Sequence, residues 1–184
     1  MSAFDSERFN GFVRKELDDL LFSDLWNLDY FHERDMHAAA YVYIREYFAK
    51  HGRDNIYVRC EPRMNGAIPD IAIFDQTRPV YVLEFKMLMD PDRLDSERVY
   101  KDLDKMNKLI NVYPSIKWGF SLLIHDDDAS FRPVDATLRR YGYNRISITS
   151  VNARRQEDND RRRVGYDGWR DRFDQLTEAH KQYT

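Results

Sequence analysis

Two short runs hold the residues best suited to chemistry. Ile68-Pro69-Asp70-Ile71-Ala72-Ile73-Phe74 is followed by Val80-Tyr81-Val82-Leu83-Glu84-Phe85-Lys86. Both are rich in Val, Ile, Tyr and Phe, and a turn at residues 75–79 separates them, so they read as two strands of an antiparallel hairpin. The polar residues stand where strands do not usually carry them. Asp70 opens the first strand, and Glu84 and Lys86 interrupt the apolar run of the second. Side chains alternate along a strand, so Glu84 and Lys86 share one face and Phe85 points the other way. Carboxylates and lysines are seldom buried in strands without a partner or a metal.

Pro69-Asp70 and Glu84-Phe85-Lys86 together resemble the signature of the PD-(D/E)XK nuclease superfamily, which includes many restriction, recombination and repair enzymes. The resemblance implies a restriction-endonuclease-like α/β core, a central mixed sheet flanked by helices. It implies that Asp70, Glu84 and the Phe85 carbonyl hold a divalent metal, and that Lys86 orients or activates the attacking water. Phosphodiester hydrolysis needs a Lewis acid on the phosphoryl oxygens and an activated nucleophile. An all-oxygen donor set suits Mg²⁺, or Mn²⁺, better than zinc. The expected partner is nucleic acid, DNA foremost. The alternative is a module of the same fold without catalysis, binding nucleic acid or a protein. The plainest structural reading is an ordinary charged pair on an edge strand. The apolar residues Val80, Val82, Met87 and Leu88 argue instead for a strand deep in a sheet.

The surrounding elements must place these groups. Residues 31–50 form the clearest helix: Met36, Ala40, Ile44, Tyr47 and Phe48 make its apolar stripe, and His51-Gly52 ends it. Glu33 continues that stripe, whereas Glu46 is rotated from it by about 140° and should face water. In families of the superfamily a glutamate on this helix often ligates the metal, directly or through water, which makes Glu33 a further catalytic and metal-site candidate. A first-turn glutamate favoured by the helix dipole is the structural alternative. His32 and His37 are five residues apart, not the i, i+4 spacing of a zinc-protease helix. His37 is read as a helix-face residue or one that supports the site from behind.

A strand is expected over residues 55–61, then a loop at 61–66 whose Arg63, like Arg59, could meet phosphates. A second long helix is expected over 92–113, with Val99, Leu103, Met106, Ile110 and Tyr113 as its core stripe. The resemblance implies a polar residue on this helix that faces the active site or substrate, and Lys105 and Lys101 are the candidates. Otherwise the Asp/Lys pairs of that helix would be a solvated face. Residues 116–124 read as a buried strand, 134–141 as a short helix and 145–151 as a final strand. Asp126-Asp127-Asp128 more often ends a strand or caps a helix than binds a metal.

The chain has 184 residues, with 42% apolar and 14% aromatic content, which fits one globular domain. That domain is expected over residues 1–151, with an N-terminal helix at 6–30 on the core or at a subunit contact, and a core at 31–151. From residue 152 to 184 the composition shifts to a charged linker with Arg154, Arg155 and Arg161 to Arg163, then a docking helix around Trp169 and Phe173. The formal net charge of −3 argues mildly against tight nonspecific nucleic-acid binding by a monomer. With the small size, it keeps a homodimer or a subunit of a larger assembly in play. The single cysteine, Cys60, excludes an internal disulfide and a multi-cysteine zinc site. No run reaches membrane-spanning length and the first residues lack signal-peptide character, so no membrane association and a cytoplasmic location are expected.

Overall fold

The computed structural model describes residues 6–26, 33–53, 55–88, 96–125, 143 and 145–152. The chain is an α/β protein with one five-stranded sheet in the order β1-β2-β3-β4-β5. The strands are β1 (Ile56–Cys60), β2 (Ile71–Asp75), β3 (Arg78–Leu88), β4 (Trp118–His125) and β5 (Ile146–Asn152). β2 runs antiparallel to both of its neighbours, β1 and β3, whereas β3, β4 and β5 run parallel, so the sheet is mixed. The hairpin turn is tighter than the sequence suggested. Asp75 already pairs with Arg78, and Gln76 turns the chain at φ 56°. The register slips between Ile73 and Phe74, where Pro79, which has no N–H to give the ladder, sits opposite Phe74.

The period of two along each strand sorts the apolar residues into two cores. Ile71, Ile73, Leu83, Phe85 and Leu122 turn to one face, and Ala72, Val82 and Leu123 to the other. The first face is covered by the N-terminal helical segments α1 (Ser6–Gly11) and α2 (Asp18–Trp26), a π-helical turn between them (Phe12–Leu17), and α3 (Glu33–Lys50). Val13, Leu17 and Leu21 are all buried. Steps of four residues drift by about 40° on a regular α-helix, and the wider i→i+5 turn takes up that drift, which keeps the stripe on the sheet. α3 buries Met36, Ala40, Ile44 and Phe48, as its stripe predicted, while Tyr47 is partly buried and Glu46 is exposed. Gly52 ends the helix at φ 59°, with Gly52 N bonded to Ala49 O and Arg53 N to Phe48 O. That is the paired bonding of a left-handed C-cap, which glycine adopts without a Cβ penalty.

The second face is covered by α4 (Ser96–Val112), which crosses from β3 to its parallel neighbour β4. Val99, Leu103, Met106, Leu109 and Ile110 of α4 are buried there. The helix lies close to β4 at Gly119, where a Cβ would stand 3.1 Å from Met106 Sδ. Its C-terminal end is held by Arg145, which donates to Ile110 O at 3.2 Å and to Ile116 O at 3.0 Å.

The expected helix at 134–141, the Asp126–Asp128 cluster, the first residues of the helix expected from 92, residues 27–30 of the N-terminal helix and the tail beyond Asn152 lie outside the described residues. No helix among the described residues is long and apolar enough to cross a membrane.

Candidate active site

β3 is longer than β2. Their pairing reaches Ile71 opposite Leu83, and beyond that point only β4 flanks β3. The freed edge of β3, at Glu84 to Met87, is where the polar groups gather. Asp70 stands just before β2 and closes the ladder with a side chain: its Oδ2 accepts from Phe85 N–H at 2.8 Å. A residue in an extended strand sends its N–H and C=O to the same edge, so the Phe85 carbonyl also points to the Asp70 side. Glu61 N–H donates to Asp70 O at 2.9 Å and fixes the backbone behind this carboxylate. His37, one turn into α3, places Nε2 3.4 Å from Asp70 Oδ2. That nitrogen is buried and makes no hydrogen bond.

Glu84 and Lys86 share the α4 face, as their spacing predicted. Glu84 is 2% exposed. Its Oε2 receives Lys105 Nζ at 2.7 Å, and its Oε1 is buried without a hydrogen-bond partner. Burial first, then the charge of Asp70, pushes the Glu84 carboxyl up to about 9, against the pull of Lys105. Burial alone would lower Lys105, but Glu84, Asp102 and Asp70 outweigh it and hold the ammonium above its ordinary value. Lys86 reaches the other way. Its Nζ lies 3.1 Å from Glu33 Oε1 and 3.7 Å from Asp102 Oδ2. Glu33 Oε2 accepts from Met87 N–H at 3.2 Å. Both oxygens of Glu33 are therefore engaged with β3.

Of the residues singled out from the sequence, Asp70, Glu84, Phe85, Lys86, Glu33 and Lys105 come together at this edge. Lys101 is exposed one turn earlier on α4, and Arg63 is exposed in the loop after β1, where it lines a separate cavity. Asp102 was not anticipated. It bridges the two lysines, 3.3 Å from Lys105 and 3.7 Å from Lys86. Its one sequence signal is the i, i+3 spacing to Lys105, which an ordinary surface pair shares.

The chemistry of the donors suits a hard cation. Among the described residues, four carboxyl groups, those of Glu33, Asp70, Glu84 and Asp102, gather around two ammonium groups, those of Lys86 and Lys105, an excess of acids over bases. The Glu84 Oε1, buried without a hydrogen-bond partner, adds an uncommitted oxygen to that excess. Among the described residues, no group of three or more His, Cys, Asp or Glu side chains stands together as a ready-made cation cage. The chain matches no protein-family model, no curated protein and no solved structure.

Proposed function

We infer that the protein is a metal-dependent nuclease with a restriction-endonuclease-like core, hydrolysing phosphodiester bonds in nucleic acid, DNA foremost. The observation that carries this reading is the convergence of Asp70, Glu84 and Lys86 on the freed edge of β3, with a buried carboxylate oxygen left unpaired. A bare scaffold gains nothing from it, because an unpartnered buried carboxylate oxygen costs stability.

Asp70, Glu84 and the Phe85 carbonyl would hold Mg²⁺ or Mn²⁺, with Glu33 completing the set. The bound ion would supply Lewis-acid polarisation of the phosphoryl oxygens. The chain's own residues do the rest. Phe85 N–H and Glu61 N–H hold Asp70 in place. Glu33 and Asp102 steer the Lys86 ammonium, which orients the attacking water. The water gives up a proton as its oxygen bonds to phosphorus and the P–O ester bond breaks, and the leaving oxygen takes up a proton, so that no net proton is needed.

The Lys105–Glu84 contact favours a second reading, a module of the same architecture without catalysis. A lysine already pairs with the buried carboxyl without a metal. One experiment separates the two. The purified protein is incubated with single-stranded, double-stranded, branched and RNA substrates in Mg²⁺ or Mn²⁺, beside Asp70→Ala, Glu84→Ala and Lys86→Ala. The nuclease reading expects cleavage by the wild type alone. Wild-type turnover in any one variant removes the assigned site, and no cleavage of any substrate favours the binding module.

A further inference from the structure

The margin of the sheet at β1 carries groups that the carboxylate cluster does not use. β1 is an edge strand, and α4 packs over β3, β4 and β5, on the far side of the same face. Ile56 and Val58 turn toward the α3 core, so Tyr57 and Arg59 point to the opposite face. Tyr57 is 52% exposed and pairs across the ladder with Phe74. The Arg59 guanidinium lies 5.4 Å over the Phe74 ring. Arg59, Arg63, Phe74 and Tyr113 line a cavity of about 620 Å³, and Arg45 and Arg53 line an adjoining one of about 470 Å³ with Tyr57. Among the described residues, the exposed acids near these four arginines are Glu46 and Glu61, while Asp75, opposite Ile56, is paired with Arg78. The margin is thus locally basic on a chain whose formal net charge is −3.

One exposed ring, Tyr57, and the half-buried Phe74 beside guanidinium groups suit a particular polyanion. Guanidinium forks match phosphate, and bases stack on rings and on guanidinium planes. Only a strand with unstacked bases can use both. A duplex would gain the charge alone, and so would an acidic peptide. The loop that leaves β1 through Arg63 also abuts the carboxylates, because Glu61 N–H donates to Asp70 O at 2.9 Å.

We propose that the Tyr57–Arg59–Arg63 margin of β1 binds single-stranded nucleic acid and delivers it past Arg63 to Asp70. The binding stands on the margin itself, and the delivery rests on the nuclease reading above. The test is fluorescence anisotropy on the full chain in EDTA, where metal-dependent cleavage cannot intrude. The probes are a short labelled single strand, as DNA and as RNA, the duplex of the same sequence, and a polyglutamate peptide. The single strand should bind about tenfold more tightly than the duplex, and Tyr57→Ala should weaken it about tenfold. Arg59→Ala and Arg63→Ala should each lower the slope of log affinity against log salt by about 1. Unchanged single-strand affinity in both Tyr57→Ala and Arg59→Ala overturns the proposal. So does equal affinity for the duplex, or for the peptide. Cleavage assays on the same samples keep the two readings apart. Tyr57-dependent binding without cleavage of any substrate removes the nuclease reading and keeps the margin. Asp70-dependent cleavage with unaltered binding in both Tyr57→Ala and Arg59→Ala removes the margin and keeps the nuclease.

Discussion

Lys105 reaches across from α4 to place its ammonium 2.7 Å from the buried carboxylate of Glu84 on β3. The contact ties the helix to the strand at the point where the sheet loses β2. Breaking a buried pair from one side leaves the other charge uncompensated, whereas removing both partners is far milder. Lys105→Met should therefore lower stability, most of all at high pH, where the Glu84 carboxyl, pushed up to about 9, is ionised. Adding Glu84→Gln should restore most of that loss. Urea unfolding of the two single variants and the double variant measures it, and strictly additive losses would show that the groups do not act as a pair.

Asp70 gives the opposite expectation. Its charge raises Glu84, so its presence costs stability, while its Oδ2 bond to Phe85 N–H offsets part of that cost. Asp70→Asn keeps an acceptor for Phe85 and removes the charge. Stability should stay level or rise, and on the nuclease reading metal-dependent cleavage should be lost. A variant that unfolds more easily than the wild type would show that the carboxylate charge stabilises this edge.

Glu33 now has a definite partner in Lys86, 3.1 Å away. Glu33→Gln keeps an acceptor but removes the charge that steers the lysine. If Glu33 serves the site, turnover should fall at least about tenfold at limiting Mg²⁺, with Glu46→Gln as a silent control on the exposed face. A first-turn role alone predicts a stability loss of about 0.3–1 kcal/mol with activity intact. Kinetics and thermal melting on the same samples decide between them.

Asp18 offers a pH signature away from the site. Burial, and then the charge of Asp19, pushes its carboxyl from an ordinary 3.8 up to about 7. Between those values the native protein holds a proton that the unfolded chain has released. Asp18 should therefore make stability fall as pH rises from about 4 to about 7, and the loss should be complete above that range. Asp18→Asn should flatten this part of the profile and stabilise the protein at pH 7.5 by an amount on the order of 3 kcal/mol. Melting curves across the pH range check the sign: a variant whose stability keeps the same slope rules Asp18 out as its source.

Local order was legible in the sequence because it rests on short-range periodicity. The α3 stripe and its Gly52 cap, the α4 stripe, and the phase that puts Glu84 and Lys86 on one face all follow from spacings of two, three and four residues. The sequence thus determined which residues face inward and which charges lie in strands. It also determined that Glu33, unlike Glu46, looks toward the sheet.

Partner choice was decided only in the tertiary structure. Periodicity tells which way a side chain points but not what it meets. β3 outruns β2 because the hairpin register ends at Ile71 opposite Leu83, and that free edge exists only once the strands are paired. α4 lies over the second face because it joins two parallel neighbours, and its placement hands Glu84 to Lys105 and sets Asp102 between the two lysines. Arg59 and Tyr57 gain their meaning in the same way. In the sequence they are two polar-capable residues of a short strand, and it is the position of β1 at the edge, with Phe74 beside it, that makes them a surface. Such contacts join residues far apart in the chain, and long-range burial and strand order, not local propensity, select among the pairings that the same spacings would allow.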